Sequence, residues 1–278
     1  MRMIPFVFAG LLGCLNHGVP KDMHVEAQFP PVPAAPTLPH ELRVVEFNVH
    51  MESGDKILAA LQHEPTLRDA DVIILEEVHR SHLGCSGACV VGRALGFASV
   101  YAPGHAAGDG DDGVAIISRA PITSAQVIQL PHFDVHINGG RRVALVATID
   151  HAGTPVTVYA VHLENRLSVK DRRTQMLPVL AHAEQQHTPV IIAGDLNTSP
   201  FTWIAHLVPI LTTTQDDRME DLVRAHGFAT PVEDSGPTSR YLAMKLDAIY
   251  TRGFTTTKFA TADGWNLSDH LALWAVMH

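Results

Sequence analysis

Short apolar runs that end in polar, chemically able residues constrain this chain more than any other feature. Residues 42–49 read as a buried strand, with Val45, Phe47 and Val49 on one side. Further strands are predicted at 72–75, 97–101, 114–117, 127–130, 143–149, 155–161, 190–193, 246–250 and 271–276. Helical spacing occurs at 55–62 (Ile57, Leu58, Leu61) and at 170–186, where Leu177, Leu180 and Ala183 form a stripe beside Met176. Shorter helices are predicted at 203–208 and 220–226. Strands outnumber helices and their spacing is irregular. That pattern suits an α/β chain of α+β character, with two packed sheets and outer helices. No linker interrupts residues 42–278, which read as one domain.

The polar residues at the strand ends are the candidate site, because a strand end holds a side chain on a rigid element at the lip of a core. Asn48 closes the first strand, and Glu76 and Glu77 follow the second. A carboxylate such as Glu77 is a hard oxygen ligand suited to Mg²⁺. Adjacent residues on an extended chain point to opposite faces, and the pattern does not choose between the two. Asp195 and Asn197 follow 190–193 and Gly194 on one side of a local extended segment. One can hold a water, and the other can donate to a phosphate oxygen. His270 has the side chain to take a proton from water near neutrality, and Asp247 is its better orienting partner than adjacent Asp269. Asp269 can instead sit near a metal. His162 can donate to a phosphoryl oxygen, and Asn165 either supports its loop or reaches the phosphate. Arg119 reads as a structural residue.

The N-terminus carries Arg2, an apolar run at 4–12, and then Leu11-Leu12-Gly13-Cys14. The run is too short to span a bilayer, which takes about 20 apolar residues, and it reads as a signal segment over 1–14. Its end resembles a bacterial lipoprotein box, which makes Cys14 the expected lipidation site. Plain secretion is the alternative. Six prolines within 15–41 favour extended backbone and read as a tether. An exported cell-envelope, periplasmic or secreted protein is expected, and in that compartment Cys85 and Cys89 would form a local disulfide. The formal charge is −9, with 20 basic against 29 acidic residues. Duplex binders draw affinity from basic excess, so nucleic acid is not the favoured partner, although local charge at a metal site can differ from the total.

In chain order, Phe47-Asn48-Val49-His50, Leu75-Glu76-Glu77-Val78, Gly113 to Arg119, Val161-His162-Leu163, Gly194-Asp195-Leu196-Asn197, Leu246-Asp247-Ala248-Ile249 and Ser268-Asp269-His270 resemble the endonuclease/exonuclease/phosphatase superfamily, the DNase I-like metal phosphoesterases. The resemblance implies a four-layered sandwich, two mostly antiparallel sheets flanked by helices. It implies one or two Mg²⁺ ions, with Mn²⁺ as a substitute, held by Glu77 with Asn48 and Asp269. It places phosphate contacts at Asn48, His162, Asn197 and Asn165, and catalysis at His270, Asp247, Asp195, His162 and Asn197. Three departures stand out: His50 where some relatives carry an acidic residue, Val114 where Asn is common, and Ala248 where His is frequent. The expected activity is hydrolysis of a phosphate ester, most simply a diester, by a monomer. Endonuclease, phosphomonoesterase and sphingomyelinase-like lipid diesterase chemistries stay open. A silent envelope binding module is the rival class, and the full set of acid, amide and imidazole groups argues against it.

Overall fold

The computed structural model describes residues 18–20, 23–30, 41–135, 139–212, 215–241 and 243–278. The 1–14 leader with Cys14 and most of the proline-rich stretch lie outside the described residues. One sheet has seven strands in the order β1-β4-β5-β3-β2-β14-β13. These are β1 (Glu26–Gln28), β2 (Leu42–Asn48), β3 (Val72–Ser81), β4 (Ala98–Ala107), β5 (Gly110–Ser118), β13 (Thr256–Ala262) and β14 (Ala272–Met277). The second has five strands in the order β12-β9-β8-β7-β6: β6 (Ile122–Gln129), β7 (Val143–His151), β8 (Thr154–His162), β9 (Val190–Asp195) and β12 (Asp247–Arg252). Among the described residues, only β2–β3 and β8–β9 pair in parallel.

Alternation along the strands builds the layers. Val44 on β2 and Ile74 on β3 join Val158, Ile191 and Ile249 of the other sheet in the central core. Val45 and Phe47 point the other way, against Ile57 and Leu61 of α1 (Gly54–His63) and Ala88 and Val91 of α3 (Gly87–Leu95). A four-residue α2 (Pro65–Arg68) links into β3. Beyond the five-stranded sheet, α4 (Val169–Glu184) and α5 (Gln215–Ala225) cover Tyr159, Val161 and Ile192. The result is the expected helix–sheet–sheet–helix sandwich. At about 25 cal/mol per Å² of apolar surface removed from water, these three apolar layers supply the main stabilisation.

Several elements differ from expectation. The α4 stripe is Met176, Val179, Leu180 and Ala183, with Leu177 exposed. Residues 203–208 do not form a helix. They belong to a hairpin of β10 (Phe201–Ile204) and β11 (Val208–Leu211), turned by Ala205 and His206 at positive φ. Glu26–Gln28, inside the proline-rich stretch, pairs with β4 as an edge strand. Cys85 and Cys89 are free thiols where a local bridge was expected. Cys89 lies in the first turn of α3, and its Sγ donates to Gln28 Oε1 at 3.1 Å. Arg119 pairs with Asp71 at 3.3 Å, at the end of the sheet where β3 begins, so its role is structural.

Candidate active site

The parallel pairs send the C-terminal ends of β2, β3, β8 and β9 to one edge of the sandwich, and most of the sequence-predicted residues meet there. The Asn48 amide donates to Glu77 Oε1 at 3.2 Å and to Asp195 Oδ2 at 3.1 Å. Asp195 Oδ2 also lies 3.5 Å from His162 Nε2 and 3.8 Å from His270 Nε2. The His270 ring turns Nδ1 to Asp247, 2.9 Å from Oδ2. Asp247 and Asp195 are direct neighbours across β12 and β9, which explains how distant segments share one imidazole.

A bulge resolves the Glu76–Glu77 ambiguity. The β3–β5 register slips between Leu75 and Val78, and Glu77 takes φ +51°. Such a bulge re-aims side chains that strict alternation would separate. Glu77 faces Asn48 and His50, whereas Glu76 is fully buried beside Glu46. Burial opposes ionisation of Glu77, but the His50 imidazole 3.6 Å away and the hydrogen bond from the Asn48 amide hold it far below the usual carboxylate range. Burial pushes Asp195 up to about 7, against the pull of His270. Burial also works to discharge His270, and the Asp247 and Asp195 carboxylates overcome it, so its proton is held well above the ordinary histidine range. His162 goes the other way. Burial and then Arg142 drive its affinity for a proton well down, and the ring is neutral.

Asn197, at φ +52°, donates its amide to Leu163 O at 3.0 Å, tying the loop after β9 to the loop after β8. Asp269 sits on the half-exposed rim, 3.5 Å from His50 Nδ1. Asn165 keeps its Oδ1 unpartnered while its main chain is held by Glu164 and Arg172. Arg142 escaped the sequence reading. It is buried, approaches Glu164 at 3.4 Å, and donates to His162 Nδ1 at 3.0 Å. Its signal, Gly139-Gly140-Arg141-Arg142, has meaning only once β7 and β8 are paired. Asp112, with His105 at 3.4 Å, lines the small cavity beside Arg142 and His162.

The donor set suits a hard divalent cation. Ligand atoms of Glu77, His162 and Asp195 lie within 4.8 Å of one another, and two of the three are carboxylate oxygens, the ligands Mg²⁺ prefers. A second cluster, Asp195, Asp247 and His270, meets the same limit, but there the imidazole already serves Asp247.

Comparison with known proteins places the fold and the family. The family model described as Endonuclease/Exonuclease/phosphatase family matches residues 45–270. A comparison with curated proteins yields no match. Among solved structures, an endonuclease/exonuclease/phosphatase from Beutenbergia cavernae is 21% identical, with a TM-score of 0.69 over 86% of this chain and 71% of its own. A family protein from Leptotrichia buccalis is 17% identical, with a TM-score of 0.65 over 84% and 98%. The D. rerio TDP2 complexed with a single strand DNA product is 16% identical, with a TM-score of 0.64 over 86% and 100%. At these identities the likeness to solved structures is one of fold.

Proposed function

Because this chain belongs to the endonuclease/exonuclease/phosphatase family, we propose that it hydrolyses a phosphodiester with an activated water and that Mg²⁺ is its ion. The observation that carries the reading is the convergence on Asp195: one carboxylate within 4 Å of Asn48, His162 and His270, with Glu77 joined to it through the Asn48 amide.

Glu77, with Asn48 and Asp195 beside it, would hold the cation, which when bound offsets charge on the phosphoryl and leaving oxygens. Asp247 fixes the His270 ring so that Nε2 faces Asp195 and the attacking water. His270 and Asp195 act as one proton-sharing pair, taking the proton that water loses during in-line attack. Neutral His162 receives a hydrogen bond from Arg142 on Nδ1, which leaves Nε2–H to donate on the phosphate side. Donors placed where charge develops are worth more in this dry setting than in water. Asn197 contributes by bracing the mouth, since its amide is spent on Leu163 O.

Turnover of bis-p-nitrophenyl phosphate tests the reading. Hydrolysis should require added Mg²⁺ or Mn²⁺, cease in EDTA, and return on readdition of the metal. Folded protein that stays silent with both ions would reject it in favour of a binding module.

A further inference from the structure

The β10–β11 hairpin is an apolar surface that the core does not explain. Ile204, Leu207, Val208, Ile210 and Leu211 are 54%, 54%, 56%, 43% and 72% exposed. Ile204, Val208 and Ile210 share one face of the ribbon, with Leu207 in its turn and Leu211 on the other face. A two-stranded ribbon is marginal alone, and apolar surface left exposed in this way marks a place that something else covers. The hairpin begins just after Asn197 and is anchored to the mouth of the site. His206 Nδ1 meets Arg166 O at 2.9 Å, the Arg166 guanidinium lies 5.2 Å over the Trp203 ring, and Gln215 donates to Phe201 O at 2.7 Å.

We propose that this hairpin docks the protein on a phospholipid bilayer, with the mouth of the active site facing the headgroups. Two further observations favour lipid as the occupant. Exposed Met51 and Tyr241 share this end of the molecule: Met51 follows His50, and Tyr241 follows Arg240, whose N–H donates to Asp269 O at 2.8 Å. The first described residues also reach the edge of the sandwich that carries the site. Gly18 O accepts from Ala106 N at 2.8 Å, near the end of β4, and β4 finishes at the same edge as β3 because each runs antiparallel to β5. Cys14 lies only four residues upstream of Gly18, so an acyl chain there would tether the protein to a bilayer within a short reach of this edge. The Trp203–Arg166 stack suits the headgroup level, where amphipathic side chains keep one end in each medium. With a net charge of −9, docking proceeds by apolar insertion into zwitterionic lipid and not by attraction to anionic lipid. That the substrate is then a lipid-borne phosphodiester rests on the function proposed above, whereas the docking itself does not.

The test uses full-length Cys14→Ser protein, in which no acyl chain contributes, with dioleoylphosphatidylcholine vesicles in EDTA. The parent should co-sediment with vesicles, and Leu207→Glu/Val208→Glu should bind at least about tenfold more weakly. Brominated phosphatidylcholine should quench the parent's tryptophan emission, and Trp203→Phe should lose that quenching. Equal binding by parent and double variant, no binding by the parent, quenching unchanged in Trp203→Phe, or light scattering that shows a dimer broken by the double variant would each overturn the proposal. Soluble diester turnover should be equal in parent and double variant. Its absence from both would count against the catalytic reading while leaving the vesicle result intact.

Discussion

His270 sits between two carboxylates, and that placement sets its pH behaviour. Asp247 and Asp195 hold its proton well above the ordinary histidine range. A base must be neutral to accept a proton, so turnover should climb as pH rises above roughly 6.5, the unperturbed value. Asp247→Asn removes the closest carboxylate, 2.9 Å away, and so weakens the grip on the proton. The rising limb should move to lower pH while the plateau falls by about 10²-fold or more. His270→Ala should lose at least about 10²-fold with an unchanged circular dichroism spectrum; near-normal turnover across pH would remove His270 from the mechanism. His50 lies between Glu77 and Asp269, and the Glu77 carboxylate 3.6 Å away does most to lift it to about 9. Below that pH it is a cation competing for the metal's carboxylate. Calorimetric Mg²⁺ affinity should therefore rise with pH toward about 9, and His50→Ala should bind more tightly at pH 7 with a flatter profile. Equal affinities at pH 7 would show that the imidazolium does not compete.

Between β8 and β12, Gly194 allows the central strand of the site to exist. Its φ is +148°, and an added Cβ would stand 1.8 Å from Val161 O. Gly194→Ala should cost roughly 3 kcal/mol through strain and backbone displacement, a fall of about 5–10 °C in Tm; a shift under about 2 °C would mean that the strands part freely. The same strand shows what could be read in advance. Residues 190–193 form a continuous apolar run ended by Gly and Asp, a pattern that fits a buried strand and its chemical tip. Glu77 was legible as a ligand by residue type, but its direction was not, because a bulge cancels the alternation on which the reading relies. The stretch at 203–208 misled because Trp203, Ile204, Leu207 and Val208 satisfy helical spacing equally well. The hairpin instead follows from backbone pairing and a positive-φ turn at Ala205 and His206. Arg142 could not be singled out, since its partners Glu164 and His162 become neighbours only when β7 pairs with β8.

Across the whole molecule, the two sheets meet beneath the site over a pair of acids. Glu46 and Glu76 are fully buried, and their nearest charges include Asp247 and Asp195. Removing such groups from water costs several kcal/mol per ion unless they are paired or neutral. Burial raises both well above the ordinary carboxylate range, so the native pair keeps protons that the unfolded chain releases above pH of about 4.3. The sign follows from linkage. Where the native state binds more protons than the unfolded one, stability falls as pH rises, so this pair weakens the fold progressively above its unfolded value. The acids persist under a site that must gather carboxylates, and the cost is borne by the sandwich as a whole. Glu46→Gln keeps the shape, removes one titrating group and gives Glu76 an amide donor. In EDTA, its melting temperature should match the parent's near pH 4 and exceed it at pH 8, by the equivalent of about 1–3 kcal/mol. A variant less stable than the parent at pH 8 would mean that both acids are ionised and held by partners, and that the crowding of charge below Asp195 is compensated within the fold.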